Sequence, residues 1–475
     1  MTHSVLPVAP SVDVIEKTFA DLKARIPRQR ALSAKERIAG LDALYREVWK
    51  RRNDLKTAMW NDFRKPAEEV DLTEIFVIKS EIKTVKRNLH RWMRPKRMPG
   101  GLAQIGSASW VRPEAKGVVL IISPWNYPMQ LVFRPLIAAL AAGCTAMIKP
   151  SELTGHTAQV VAEIVSAAFE SDEVAVVQGG VDTATHMLNL PFNHIYFTGS
   201  PAVGKIVMKA ASQHPCSVTL ELGGKSPVIL DDMRSFRDAA KKLAWAKLSN
   251  AGQICVAPDY VFVPANREAE FISALKRAML DMYPGETSAN KDYQRIVAPH
   301  HAKRISILVD DAIARGAKCV LGGDIETDSC FVPPIVLTGI DKNAKILEEE
   351  IFGPVLPIIP YTSLDEVIRF VNDRPTPLAL YVFSKRKRFV DSILSNIQSG
   401  GASINNCVIH VSSNYLPFGG LGNSGIGSGH GEYGYLEFTH LRGVYEQRFD
   451  GAGALLMPPY SSWKTNVIDR LLRWL

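Results

Sequence analysis

The feature that most constrains this chain is the recurrence, from residue 117 onward, of short apolar runs separated by stretches of helical periodicity. Residues 117–122, 146–148, 174–177 and 194–197 are rich in Val, Ile, Leu, Phe and Tyr without polar alternation, and helical patterns fall between them near 129–142, 154–169 and 182–189. Strands of this kind are covered on both faces, which predicts a doubly wound parallel sheet of α/β class. Such sheets bind ligands at the carboxyl ends of their strands, where the loops here contain Asn126, Lys149 and Gly199. Beyond Glu221 the alternation restarts, with strands at 227–230, 260–263 and 318–321 and helices near 236–250, 267–281 and 299–314, predicting a second α/β domain. Ahead of both, residues 12–94 carry helical spacing such as Leu41, Leu44, Tyr45 and Val48.

A chain of 475 residues has room for two or three domains. Its net charge of +8 is dispersed among 48 acidic residues, so it predicts mild attraction for anions such as cofactor phosphates and no nucleic-acid partner. The six cysteines are widely spaced with no C-x-x-C pair, which fits a reducing compartment. The first residues lack a basic segment followed by an apolar core, and no uncharged run reaches the ~18 apolar residues of a membrane span. A cytoplasmic protein is expected.

Two segments point to chemistry. Glu221-Leu222-Gly223-Gly224-Lys225-Ser226-Pro227 and Gly252-Gln253-Ile254-Cys255 set a carboxylate and a thiol among glycines. That pair suits a covalent mechanism in which the thiolate attacks a carbonyl and the carboxylate activates water. Taken alone, Cys255 reads equally as a small buried hydrophobe and Glu221 as an ion-pair partner of Lys225. A cysteine hydrolase would need a histidine base, and neither His194 nor His214 lies in such a motif. Phe197-Thr198-Gly199-Ser200-Pro201-Ala202-Val203-Gly204-Lys205 leaves a predicted strand and opens a predicted helix, with Ser200 placed to cap it and Pro201 at a position that needs no N–H. Free N–H groups at a helix N-terminus attract phosphate, although the G-x-x-x-x-G spacing also suits a structural turn. Lys149 and Glu152, just past another strand, read by default as an exposed ion pair.

In their order, these segments, together with Pro124-Trp125-Asn126-Tyr127-Pro128 and Glu350-Ile351-Phe352-Gly353-Pro354, resemble the NAD(P)-dependent aldehyde dehydrogenase superfamily over residues 17–448. The resemblance implies Cys255 as nucleophile, Glu221 as the base that activates water, and Asn126 as the amide that receives the oxyanion. It also implies cofactor contacts from Lys149, Glu152, Gly199, Ser200, Gly204, Glu350 and Phe352, with Glu152 favouring NAD while NADP is also accepted, and no metal. Tyr127 and Phe418 are expected in the substrate pocket.

The segments 255–260, 417–425 and 458–460 resemble class 3 members, the branch with fatty and coniferyl aldehyde enzymes, which implies a hydrophobic aldehyde substrate and a homodimer. The expected division is 1–220 for the N-terminal helices and cofactor domain, with 95–112 in a bridging hairpin, 221–415 for the catalytic domain, and 416–475 for a small β bridging or oligomerisation element and a C-terminal helix. A CoA-acylating dehydrogenase and a non-catalytic NAD-binding structural protein are the alternatives, and the intact Glu221 favours hydrolysis by water. Arg64 stands where the branch suggests glycine, and Gly429 where it usually shows tyrosine. In the tail, Val467, Ile468, Leu471, Leu472 and Leu475 share one helical face, which predicts docking on this or a neighbouring subunit ahead of contact with a membrane surface.

Overall fold

The computed structural model describes residues 9–101, 104–449, 453 and 457–474. Four long helices, Val12–Ala31, Ala34–Lys50, Arg52–Phe63 and Phe76–Trp92, occupy the N-terminal region. Helix Ala34–Lys50 starts at a capping box between Ser33 and Glu36 and buries Leu41, Leu44 and Val48, the stripe its spacing predicts. Helix Arg52–Phe63 stops because Arg64 turns left-handed at φ 55°, with the Arg64 N–H on Trp60 O at 2.8 Å and the Lys65 N–H on Met59 O at 3.3 Å. Glycine adopts that conformation without strain, which is the physical content of the departure at this position.

The first sheet has six strands in the order Gly425–Ile426, Ser217–Leu222, His194–Gly199, Val118–Ile122, Thr145–Lys149 and Val174–Val176. All but the first pair in parallel, and the register sets Ile122 beside both Lys149 and Phe197. Asn126, Lys149 and Gly199 therefore lie along one edge, at the carboxyl ends, as the pattern predicts. Gly425–Ile426 adds antiparallel to Ser217–Leu222 with Gly425 opposite Glu221. A side chain at 425 would meet Leu220 O at 2.3 Å, so only glycine allows this pairing. Glu221 is thus inside a strand of the first sheet, and the crossing to the second sheet falls in residues 223–226, just beyond the expected break.

The second sheet has seven strands, in the order Lys318–Leu321, Ile335–Thr338, Val355–Tyr361, Tyr260–Pro264, Pro227–Leu230, Ala379–Phe383 and Gly401–Ile404, all parallel except the first. The helix expected over 236–250 ends at Leu248 because Asn250, Ala251 and Gly252 all take left-handed backbone. Lys96–Met98, Ser107–Ala115 and Thr439–Gln447 form a separate three-stranded antiparallel sheet, joining the 95–112 segment to the C-terminal region. The tail forms helix Ser462–Trp474, with Val467 and Ile468 half-buried and Leu472 exposed, while Leu475 lies outside the described residues. Among the described residues no helix is long and apolar enough to cross a membrane.

Candidate active site

A cavity of about 1020 Å³ opens at the carboxyl edge of the first sheet and is lined by Asn126, Glu221, Cys255, Glu350, Phe352 and the Gly199–Ser200 turn, among others. Asn126 follows strand Val118–Ile122, Glu221 precedes the last residue of Ser217–Leu222, and Cys255 leads into Tyr260–Pro264. Residues that lie more than two hundred positions apart thus share one cavity because two parallel sheets turn their loops toward it.

The Cys255 loop is strained and heavily tied. Asn250 (φ 51°) and Ala251 (φ 49°) sit in a conformation that costs a non-glycine residue ~1–2 kcal/mol each. Hydrogen bonds hold it there. The Asn250 N–H donates to Glu69 Oε1 at 3.0 Å, and Asn250 Nδ2 donates to Asn126 O (2.9 Å) and Gln253 O (3.0 Å). Gln253 Nε2 donates to Asn250 O (2.9 Å) and Arg295 O (3.1 Å), and its Oε1 accepts from the Val297 N–H at 3.0 Å. Asn126 Nδ2 donates to Gln253 O at 3.0 Å, so the amide and the cysteine loop belong to one network. A side chain at Gly252 would strike Gly353 O at 2.3 Å, so the loop presses against the backbone that directly follows Phe352. Glu69 is a participant that the sequence does not announce: it is 181 positions from Asn250, in a helical stretch with no local motif.

Burial first, then the charges of Glu350 and Glu221, push the Cys255 thiol well above the usual range. Glu350 is itself raised to about 8, by burial and then by Asp259. Its carboxylate lies so close to Gly223 that a side chain there would meet Oε2 at 1.9 Å. The Phe352 ring stands edge-on to Trp125 with centroids 5.3 Å apart.

Glu221 makes no ion pair with Lys225. Lys225 Nζ donates instead to Asp259 Oδ1 (2.8 Å), Ile346 O (2.7 Å) and Glu349 O (2.8 Å). The partners of Glu221 are the hydroxyls of Tyr196 and, at 3.4 Å, Thr198. Burial raises it to about 7 against the lowering effects of Tyr196, Arg134 and Thr198. A carboxylate near 7 can take a proton from water at neutral pH.

At the far end, Ser200 caps helix Pro201–Ala211 by accepting the Val203 N–H at 3.4 Å, and Ser200, Pro201, Ala202 and Lys205 face the cavity. That helix start, with its partial positive charge and a lysine beside it, fits a dinucleotide's pyrophosphate. Gly204 does not line the cavity; a side chain there would meet Leu222 Cδ2 at 2.6 Å, so it serves close helix–strand packing. Lys149 and Glu152 form an ion pair at 2.6 Å beyond the cavity lining, Lys149 buried and Glu152 partly exposed. On the substrate side, Tyr127 packs in the apolar cluster that Leu131, Val411, Phe418 and Cys255 join. Neither Tyr127 nor Phe418 lines the cavity, which Leu131 and Trp125 do: Tyr127 covers the buried Lys65 ammonium at 4.0 Å and Phe418 stacks on His430 at 4.8 Å.

A thiol, a carboxylate near neutral pKa and an amide around a cavity that ends on a helix N-terminus define an oxidoreductase that works on carbonyl compounds with a dinucleotide. The chain belongs to the aldehyde dehydrogenase family, whose model matches residues 9–444, and the family uses NAD(P). It is 37% identical to mouse aldehyde dehydrogenase family 3 member A2, over 95% of this chain and 93% of that one. It is 39% identical, over 97% and 96% of the two chains, to a Pseudomonas aeruginosa protein named "Probable coniferyl aldehyde dehydrogenase". Among solved structures, substrate-bound AldH of Staphylococcus aureus superposes with a TM-score of 0.92 at 37% identity, covering 96% of this chain and 99% of that one. These relatives place the chain in the class 3 branch.

Proposed function

We propose that this enzyme oxidises hydrophobic aldehydes, aromatic or medium- to long-chain aliphatic, to their carboxylic acids, with NAD favoured and NADP also accepted. The observation that carries the reading is that Cys255, Asn126 and Glu221 line one cavity, with the amide and the cysteine loop tied in a single network. The Cys255 thiolate adds to the aldehyde carbon, and the oxyanion takes its hydrogen bonds from the Asn126 amide and the Cys255 N–H. One such donor is worth ~10²–10³ in rate. NAD(P)⁺, when bound, supplies the hydride acceptor and a positive charge that offsets the carboxylates opposing the thiolate. Loss of hydride leaves a thioester on Cys255. Glu221 then takes a proton from water as the water oxygen adds to the thioester carbon; the C–S bond breaks, the acid leaves, Cys255 departs as the thiolate it began as, and Glu221 releases its proton to solvent.

Leu131 and Trp125 on the cavity wall, and the apolar cluster of Tyr127, Val411 and Phe418 that Leu131 and Cys255 join, support a hydrophobic substrate, as does the likeness to the protein named "Probable coniferyl aldehyde dehydrogenase". A carboxylate titrating near neutrality favours water over coenzyme A as the acyl acceptor. Glu152 would accept the adenosine ribose hydroxyls and repel a 2′-phosphate, which favours NAD. Among the described residues strand Thr439–Gln447 is an edge of its sheet, with Leu441 and Tyr445 exposed, which supports pairing of two copies as a homodimer. All six cysteines are free thiols, in keeping with a cytoplasmic enzyme.

The test is NADH and NADPH formation over a panel of aromatic and aliphatic aldehydes with the wild type and Cys255→Ala. Oxidation of the hydrophobic members is expected, with turnover abolished and NAD binding retained in the variant. Substantial residual turnover in Cys255→Ala overturns the mechanism.

A further inference from the structure

Glu221 is held from one side by a residue that no motif marks. Strands His194–Gly199 and Ser217–Leu222 run parallel with Thr198 opposite Glu221 and Tyr196 opposite Thr219, so Tyr196, Thr198 and Glu221 project from the same face. The buried Tyr196 hydroxyl donates to Glu221 Oε1, and Thr198 reaches Oε2 only at 3.4 Å. The phenol has little freedom: its ring stacks on the fully buried Phe438, with centroids 5.7 Å apart and planes at 15°. On the open side stands Gly429, where a Cβ would lie 2.7 Å from both Glu221 Oε1 and the Tyr196 hydroxyl. That backbone cannot retreat, because Gly429 N–H bonds Phe418 O at 2.6 Å and the Phe418 N–H returns to Gly429 O at 3.3 Å. Any larger side chain at this position, the tyrosine that the resemblance leads one to expect included, is therefore incompatible with Tyr196 and Glu221 as they stand in this chain.

We propose that Tyr196 is the positioning residue of the water-activating base, and that with Gly429 it forms a size-matched pair fixing where the Glu221 carboxylate rests and leaving Oε2 as the proton acceptor. This rests on the reading of Glu221 as general base. The hydroxyl bond stabilises the charged carboxylate. Arg134, from helix Gln130–Ala142, acts in the same direction, while burial and Glu437, from helix Gly431–Glu437, act against it; the Cys255 thiol and the Tyr196 phenol are also coupled to the charge of Glu221. Losing the hydroxyl moves the base's titration upward.

The experiment measures the deacylation rate against pH by pre-steady-state NADH formation in the wild type, Tyr196→Phe, Gly429→Ala and the double variant. Tyr196→Phe keeps the ring and its stack on Phe438, and NAD binding reports folding in each variant. The wild-type profile is expected to rise with a midpoint near the Glu221 value of about 7. In Tyr196→Phe the midpoint moves up by about one pH unit, so deacylation at neutral pH falls about fivefold and recovers in alkali while the burst remains. Gly429→Ala slows deacylation in the wild type and does so less in the Tyr196→Phe background, where one of its two clashes is gone. A wild-type midpoint near neutrality that Tyr196→Phe leaves in place, with additive effects of Gly429→Ala, overturns the role of Tyr196 alone. A wild-type deacylation rate independent of pH overturns the general-base reading and this proposal with it.

Discussion

Replacing Glu221 with Gln separates the two halves of the proposed reaction. The amide is isosteric: its carbonyl oxygen can still accept from the Tyr196 hydroxyl, and its NH2, in the place of the oxygen that Thr198 reaches only at 3.4 Å, can donate to the Thr198 hydroxyl, so the strand and cavity wall stay in place. What disappears is the proton acceptor. Acylation needs only the thiolate, the oxyanion donors and the hydride acceptor, so the first turnover should proceed and release about one NADH per active site. Hydrolysis then loses a general-base contribution of ~10²–10⁴ in rate. The wild type supplies the companion measurement. With Glu221 at about 7, roughly half the carboxylate is ionised at neutrality and about a tenth one pH unit below, so deacylation should fall about fivefold over that unit and rise less than twofold over the unit above. An unperturbed carboxylate would be flat across the same range. Stopped-flow NADH formation over a pH series reads both quantities, with NAD binding as the folding control. Equal loss of burst and steady state in Glu221→Gln would assign the residue to acylation or to structure, and the division of roles drawn here would be wrong.

Glu152→Gln should raise the use of NADP relative to NAD by removing repulsion of the 2′-phosphate, and should weaken NAD by the loss of a charged hydrogen bond worth ~1.5–3 kcal/mol. Comparing kcat/KM for both cofactors checks it, and an unchanged ratio would leave the carboxylate with Lys149 as its sole business. Arg64→Gly should stabilise the fold by about 1 kcal/mol, since it relieves a left-handed arginine at the end of helix Arg52–Phe63 and removes a positive charge that opposes Arg295. Denaturant unfolding measures this, and equal or lower stability would mean the Arg64 side chain makes compensating contacts.

The parallel strands and their covering helices were legible because burial on both faces writes continuous apolar runs into the chain, and Ser200 with Pro201 announced a helix start through local chemistry alone. Cys255, Glu221 and Asn126 were legible as motifs whose order resembles one family. Ambiguity entered wherever the partner was distant in sequence. Lys225 is four residues from Glu221 and looked like its ion-pair partner, yet it bonds Asp259 and two backbone carbonyls instead. Arg64 and Gly429 stood out as departures, but their meaning needed a backbone angle in one case and a missing Cβ in the other.

What the sequence determined by itself is therefore the class of fold and the local motifs in which the thiol, carboxylate and amide stand, because hydrophobic period, capping and glycine placement act over a few neighbouring positions. Only the tertiary structure decided how those residues are set to work. Glu69 reaches across 181 positions to hold the Asn250 N–H, Gln253 joins the cysteine loop to Asn126, and Tyr196 occupies with Glu221 the space that Gly429 vacates. Those settings arise where separate elements meet in a buried, low-dielectric cavity, and there a carboxylate's pKa and resting place follow from its spatial neighbours and the burial of its charge, which its position in the chain does not reveal.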